Sequence, residues 1–102
     1  MSNAKTTQEL RLPIPGAHAC YADHFPGAPL VPGALLLKWI IALLANANFG
    51  QVNYLKQVKF LAPVLPGDEL RICITPGTKT FTLAAYKGET PVLKGQFECV
   101  HD

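Results

Sequence analysis

HFPGAPLVPGALLLKW, residues 24–39, joins a proline-rich loop carrying His24 to a segment that is apolar almost all the way round. Pro32 suits the position at or just before the first turn of a helix, where a missing N–H costs nothing, and Gly33 beside it leaves the first-turn amides open to approach. The pattern predicts a helix from Gly33 to about Asn46 or Asn48, where Asn-Ala-Asn-Phe-Gly supplies C-terminal stop signals. Leu35, Leu36, Leu37, Trp39, Ile40, Ile41, Leu43 and Leu44 cover most of its circumference, so other structure is expected to wrap it. The remaining stripe is Ala34, Lys38, Ala42 and Ala45, and Lys38 is the only charge between Gly33 and Ala45. Small residues along one face permit close approach of a sheet, a second helix or a ligand.

The flanking chain reads as strands. Gln8 to Ile14 alternates, with Leu10, Leu12 and Ile14 on one face, and Pro13 marks an edge strand or a strand end. Residues 17–22 are ambiguous, and the loop from Asp23 to Pro32 is stiffened by its prolines. After Gly50, the segments Val52 to Leu61, Glu69 to Thr75, Lys79 to Tyr86 and Pro91 to Val100 are separated by turns at Pro66-Gly67-Asp68, Pro76-Gly77 and Lys87-Gly88-Glu89. The last three form an antiparallel meander. One long helix before several antiparallel strands predicts an α+β layer in which a curved sheet wraps the helix.

The bulk properties set limits. At 102 residues the chain is expected to be a single domain over residues 8–102, with residues 1–7 a disordered N-terminus or a tag remnant. Hydrophobic content of 49% beside 16% charge is high for so small a body, and predicts an oligomer, most simply a two-fold dimer. A net charge of +2 with dispersed lysines gives no support to nucleic-acid binding. Residues 1–12 hold no apolar signal core, and Pro32, Gly33 and Lys38 interrupt the longest apolar region, so neither a secretion signal nor a membrane span is expected. Cys20, Cys73 and Cys99 have no ligand spacing; they read as small buried hydrophobes of a reducing cytoplasm, with no metal and no redox cofactor implied.

His24-Phe25-Pro26-Gly27-x-Pro29-x-x-Pro32-Gly33 followed by an apolar helix resembles the motif of the β-hydroxyacyl-acyl-carrier-protein dehydratases of the hotdog fold. Val58-Lys59-Phe60 followed by Pro63-Val64-x-Pro66-Gly67-Asp68 is similar to that family's second segment. The resemblance implies a hotdog homodimer, with higher oligomers or pairing with a related subunit as further forms. It implies an acyl thioester substrate, carried by acyl carrier protein or CoA, in fatty-acid or related lipid metabolism.

Roles carry over residue by residue. His24 falls on the motif histidine that abstracts the α-proton of the thioester, a task that suits an imidazole of ordinary pKa about 6.5. Gly33 falls on the glycine whose amide holds the thioester carbonyl; independently, first-turn N–H groups lack intrahelical partners and favour negative charge. Phe25, Pro32, Ala34 and Phe60 fall beside the substrate. The family places Glu or Asp five residues after the glycine, on the helix of the opposing subunit, and here that position is Lys38. An ammonium of ordinary pKa about 10.4 is a poor acid unless burial lowers it. Trp39 after it is similar to a divergent branch linked to specialised lipid and polyene pathways.

Other readings stand beside these. A loop histidine also caps nearby backbone, glycine also serves tight turns, and a lysine on an apolar helix also snorkels to solvent or to a dimer seam. Lys56, Lys59 and Lys94 are scattered cations able to meet an acidic carrier or a coenzyme phosphate. The same fold also serves thioesterases, and a catalytically silent acyl-binding subunit paired with a related dehydratase fits the missing acid.

Overall fold

A computed structural model describes residues 6–17 and 30–100. Strand β1 (Gln8–Pro13) precedes helix α1 (Gly33–Asn46), which is followed by β2 (Gln51–Phe60), β3 (Glu69–Pro76), β4 (Phe81–Lys87) and β5 (Thr90–Val100). The strands form one sheet in the order β1-β3-β4-β5-β2, antiparallel at every pairing. The meander β3-β4-β5 is therefore the centre, as its turns predict, and β1 and β2 are its edges. Strand β1 stops at its proline, which has no N–H to continue a ladder.

Alternation along the strands decides which face meets the helix. Leu70, Ile72 and Ile74 of β3, Leu83 and Ala85 of β4, and Leu93 and Phe97 of β5 are fully buried. From the helix come Leu36, Ile40 and Leu44, spaced four apart on one face. Each of the leucine, isoleucine and phenylalanine side chains among them contributes about 1.5–3 kcal/mol on leaving water. At the far end of the helix Phe49, Phe81 and Phe97 close the layer, with Phe81 stacked on Phe97 at 5.0 Å and Phe49 edge-on to Phe81 at 5.6 Å.

The helix ends where the asparagines predict, and the geometry shows why. Asn48 takes φ 70, Phe49 donates its N–H to the Leu44 carbonyl at 3.0 Å, and Asn48 donates to the Ala45 carbonyl at 3.2 Å. This is a Schellman closure, with buried Phe49 packing beside buried Leu44. A turn joins β2 to β3. Asp68 accepts the Leu65 N–H at 2.8 Å and pairs with the Lys87 ammonium at 3.1 Å, while the Ile14 N–H donates to the Asp68 carbonyl at 2.8 Å.

The sheet wraps the helix through its buried Leu36-Ile40-Leu44 face and leaves Ala34, Lys38, Ala42 and Ala45 exposed. One expectation changes. Cys73 and Cys99 are free but half-buried instead of buried. Cys73 alternates with Ile72 and Ile74 and so lies on the face away from the helix, where an Arg71 N–H reaches its sulfur at 3.6 Å. Among the described residues no helix is long and apolar enough to cross a membrane, and no cluster of His, Cys, Asp and Glu has the arrangement of a metal site.

Candidate active site

The N-terminus of α1 opens onto an apolar pocket. Val31 donates its N–H to the Val64 carbonyl at 2.9 Å, tying the chain just before the helix to the turn after β2. Pro32 begins the helix with φ −59 and ψ 141, and its carbonyl accepts the Leu36 N–H at 3.0 Å. No side chain caps this end, and the N–H groups of Gly33, Ala34 and Leu35 have no acceptor among the described residues. Such amides are ready donors for an oxygen carrying negative charge.

The pocket beside them holds about 600 Å³ and is lined by Val31, Gly33, Leu36 and Phe60, with residues 61–64 as its floor. Phe60, the last residue of β2, lays its ring against Gly33. A Cβ built at position 33 would come within 2.8 Å of the ring Cζ and 3.1 Å of Cε1. A side chain at position 33 therefore fits only if the ring moves aside, and glycine lets the ring lie against the helix start. Phe60 and Leu61 are exposed apolar residues at the rim, with Leu65 further along the same turn.

The residues singled out in the sequence are distributed unevenly. Gly33 and Phe60 meet in the pocket. Pro32 is half-buried at the helix start, whereas Ala34 and Lys38 sit on the exposed stripe. Five residues separate Gly33 from Lys38, which is about 140° around the helix and about 7.5 Å along it, so one chain does not aim both at the same point. His24 and Phe25, with His18, Cys20 and Asp23, lie outside the described residues. Sequence reasoning did not name Val31, Leu36, Leu61 or Ala62 as lining residues. The signal available for them was the Pro63-Val64 segment, whose carbonyl at Val64 brings the turn to the helix start.

Comparisons with known proteins agree with this arrangement. A family model described as ApeI-like, ApeI dehydratase, matches residues 1–96. The 3-hydroxyacyl-(acyl-carrier-protein) dehydratase FabZ of Haemophilus influenzae strain Rd is 29% identical over 90 residues, covering 78% of this chain and 60% of that protein. The FabZ of Anaeromyxobacter is 33% identical over 89 residues, covering 74% and 56%. The chain spans about three fifths of the length of the curated relatives it matches.

Among solved structures, the dehydratase heterocomplex ApeI:P of Xenorhabdus doucetiae superposes with a TM-score of 0.74 at 21% identity, covering 98% of this chain and 93% of that one. The (R)-hydratase of A. caviae involved in PHA biosynthesis gives 0.69 at 18% identity, covering 94% of each. At such identities the likeness establishes the fold: a single helix cradled by a curved antiparallel sheet, the hotdog arrangement. With the matched family model spanning nearly the whole chain, the protein belongs to the ApeI-like dehydratase family.

Proposed function

We propose that this chain works as a β-hydroxyacyl thioester dehydratase, and in reverse as an enoyl thioester hydratase, on substrates carried by acyl carrier protein or CoA. The observation that carries the reading is the set of first-turn amides, without an acceptor among the described residues, that open beside Gly33 into an apolar pocket roofed by Phe60. The Gly33 N–H holds the thioester carbonyl, and the negative charge that grows on its oxygen rests at the positive end of the helix. His24 takes the α-proton. The bond from the β-carbon to oxygen then breaks, the hydroxyl accepts a proton and leaves as water, and the enoyl thioester remains.

The source of that last proton decides between two assemblies. In a homodimer, Lys38 of the opposing copy faces His24 and bonds the departing hydroxyl or shifts the imidazole by its charge. In a mixed pair, a related subunit supplies a carboxylic acid opposite His24. The exposed Ala34-Lys38-Ala42-Ala45 stripe, which lacks any carboxylate, supports the mixed pair, as does the heterocomplex seen for a structural neighbour.

Incubating the purified protein with β-hydroxyacyl and enoyl thioesters tests the proposal. Interconversion of the two, lost in His24→Ala, is the expected result. Release of free thiol would instead assign a thioesterase. Turnover of neither, alone or with a related dehydratase subunit, would leave an acyl-binding protein.

A further inference from the structure

The face of the sheet turned away from the helix carries a second concavity, separate from the pocket at Gly33. It is an open trough of about 1100 Å³ crossing β3, β4, β5 and β2. Its far wall is Arg71, whose guanidinium lies 4.7 Å from the centre of the Tyr86 ring, donates to the Gly88 carbonyl at 3.1 Å and meets Glu9 at 4.0 Å. Arg71 is thus already engaged. Glu89, in the turn after β4, also lines the trough and adds a negative charge; the unengaged cations lie on β2 and β5.

There Lys59 stands directly opposite Lys94 in the ladder, and both line the trough. Like charges facing one another across strands destabilise a sheet. Among the described residues neither lysine has a carboxylate within ion-pairing distance. Gln57 and Gln96 line the trough beside them.

The backbone is bent to build this end. Side chains alternate along a strand, yet the consecutive residues Gln57, Val58 and Lys59 all line the trough. What permits it is a register shift between Lys56 and Lys59, with Gln57 at φ 55, a conformation costly for a residue with a Cβ. Val58 then crosses Gly95, where a Cβ would lie 3.1 Å from Cγ2 and 3.3 Å from Cα of Val58. A strained bulge, a glycine that makes room for it and two facing lysines act on one spot. Strain of this kind persists where surrounding structure enforces it, and clusters at ligand sites.

We propose that this end of the trough is a binding site for a phosphate monoester, held between the Lys59 and Lys94 ammonium groups with the Gln57 and Gln96 amides as further donors. A monoester carries close to two negative charges at neutral pH, which matches two facing cations, and its oxygens accept more hydrogen bonds than one carboxylate provides. The assignment does not rest on the dehydratase reading, since the trough and the Gly33 pocket lie on opposite faces of the sheet.

Glycerol 3-phosphate and inorganic phosphate, titrated into isotopically labelled protein at pH 7.5, test it by amide shifts. Saturable shifts confined to residues 56–60 and 93–97 are expected, weakened at least about fivefold by Lys59→Ala or Lys94→Ala. Lys94→Gln should also raise Tm by about 2 °C, because it removes the facing charge. Equal shifts from sodium chloride at the same ionic strength, or affinity untouched by either alanine, would overturn the site. Binding of a glutamate-rich peptide without binding of either phosphate would reassign the trough to an acidic protein surface, which also overturns it.

Discussion

The ring of Phe60 lies so close over Gly33 that a methyl group on the glycine would stand 2.8 Å from Cζ. The atoms met are the far end of a ring that is 51% exposed, so the ring has room to swing outward. We expect Gly33→Ala to fold with a loss of about 1 kcal/mol or less, while kcat/KM for an enoyl thioester falls about tenfold or more. Denaturant unfolding and a hydration assay check the two halves. If the displaced ring is at fault, adding Phe60→Ala restores part of the activity.

The two faces of the helix should respond in opposite ways. Ile40 is fully buried between helix and sheet, and Ile40→Ala is expected to cost about 2–5 kcal/mol. Ala42 lies on the exposed stripe, so Ala42→Arg should leave the fold of the chain intact. If that stripe is the seam between subunits, the same change lowers the mass measured by light scattering. Unchanged mass in Ala42→Arg would place the seam elsewhere.

The C-terminal end of the helix offers a backbone test. Asn48 at φ 70 occupies a position that asparagine and glycine tolerate and alanine does not. Asn48→Ala should lower unfolding stability by about 1 kcal/mol, and Asn48→Gly should leave it unchanged or slightly higher. A larger loss for the glycine variant than for the alanine would contradict this account of the helix end.

Much of this architecture was readable in the chain because its causes are local. Pro32-Gly33 and Asn46-Ala-Asn48 bracket the helix through missing or left-handed backbone, and Leu70, Ile72 and Ile74 alternate without exception. What escaped reading depends on contacts distant in sequence. On α1 only the charge of Lys38 marked the stripe that the sheet leaves open, since Ala34, Ala42 and Ala45 are as compatible with burial as with exposure. The bulge at Gln57 was hidden because glutamine carries no glycine-like mark of a positive φ. Lys59 and Lys94 are 35 positions apart, and only the β2–β5 register makes them neighbours.

Burial raises the Cys99 thiol above its ordinary pKa of 9.0. The neutral thiol is therefore favoured by the folded state, and the unfolded chain ionises first as pH rises. This group's contribution to stability is intact below pH 9 and declines as pH climbs through the raised folded-state value. Alkylation of Cys99 by iodoacetamide should be slow at pH 7.5 and faster when the protein is unfolded in urea. Equal rates in the two states, read by peptide mass spectrometry, would show that packing does not hold the thiol back.

Lys38 is the position at which the proposed chemistry is most open to test. It is exposed on the helix, and its stripe offers alanines where a proton donor is wanted. Replacing it by glutamate puts a carboxyl at the place where the resembled family carries one, with little effect on the folded chain, because an exposed side chain is exchanged. If copies of this chain pair across that stripe, Lys38→Glu should raise kcat/KM for hydration about tenfold or more, and His24→Ala should abolish the gain. If the working unit is a mixed pair, Lys38→Glu alone changes little, and full activity appears on adding the related subunit to the unmodified chain. Measuring both variants alone and in the pair therefore separates a lysine that replaces the acid from one that waits for a partner to supply it.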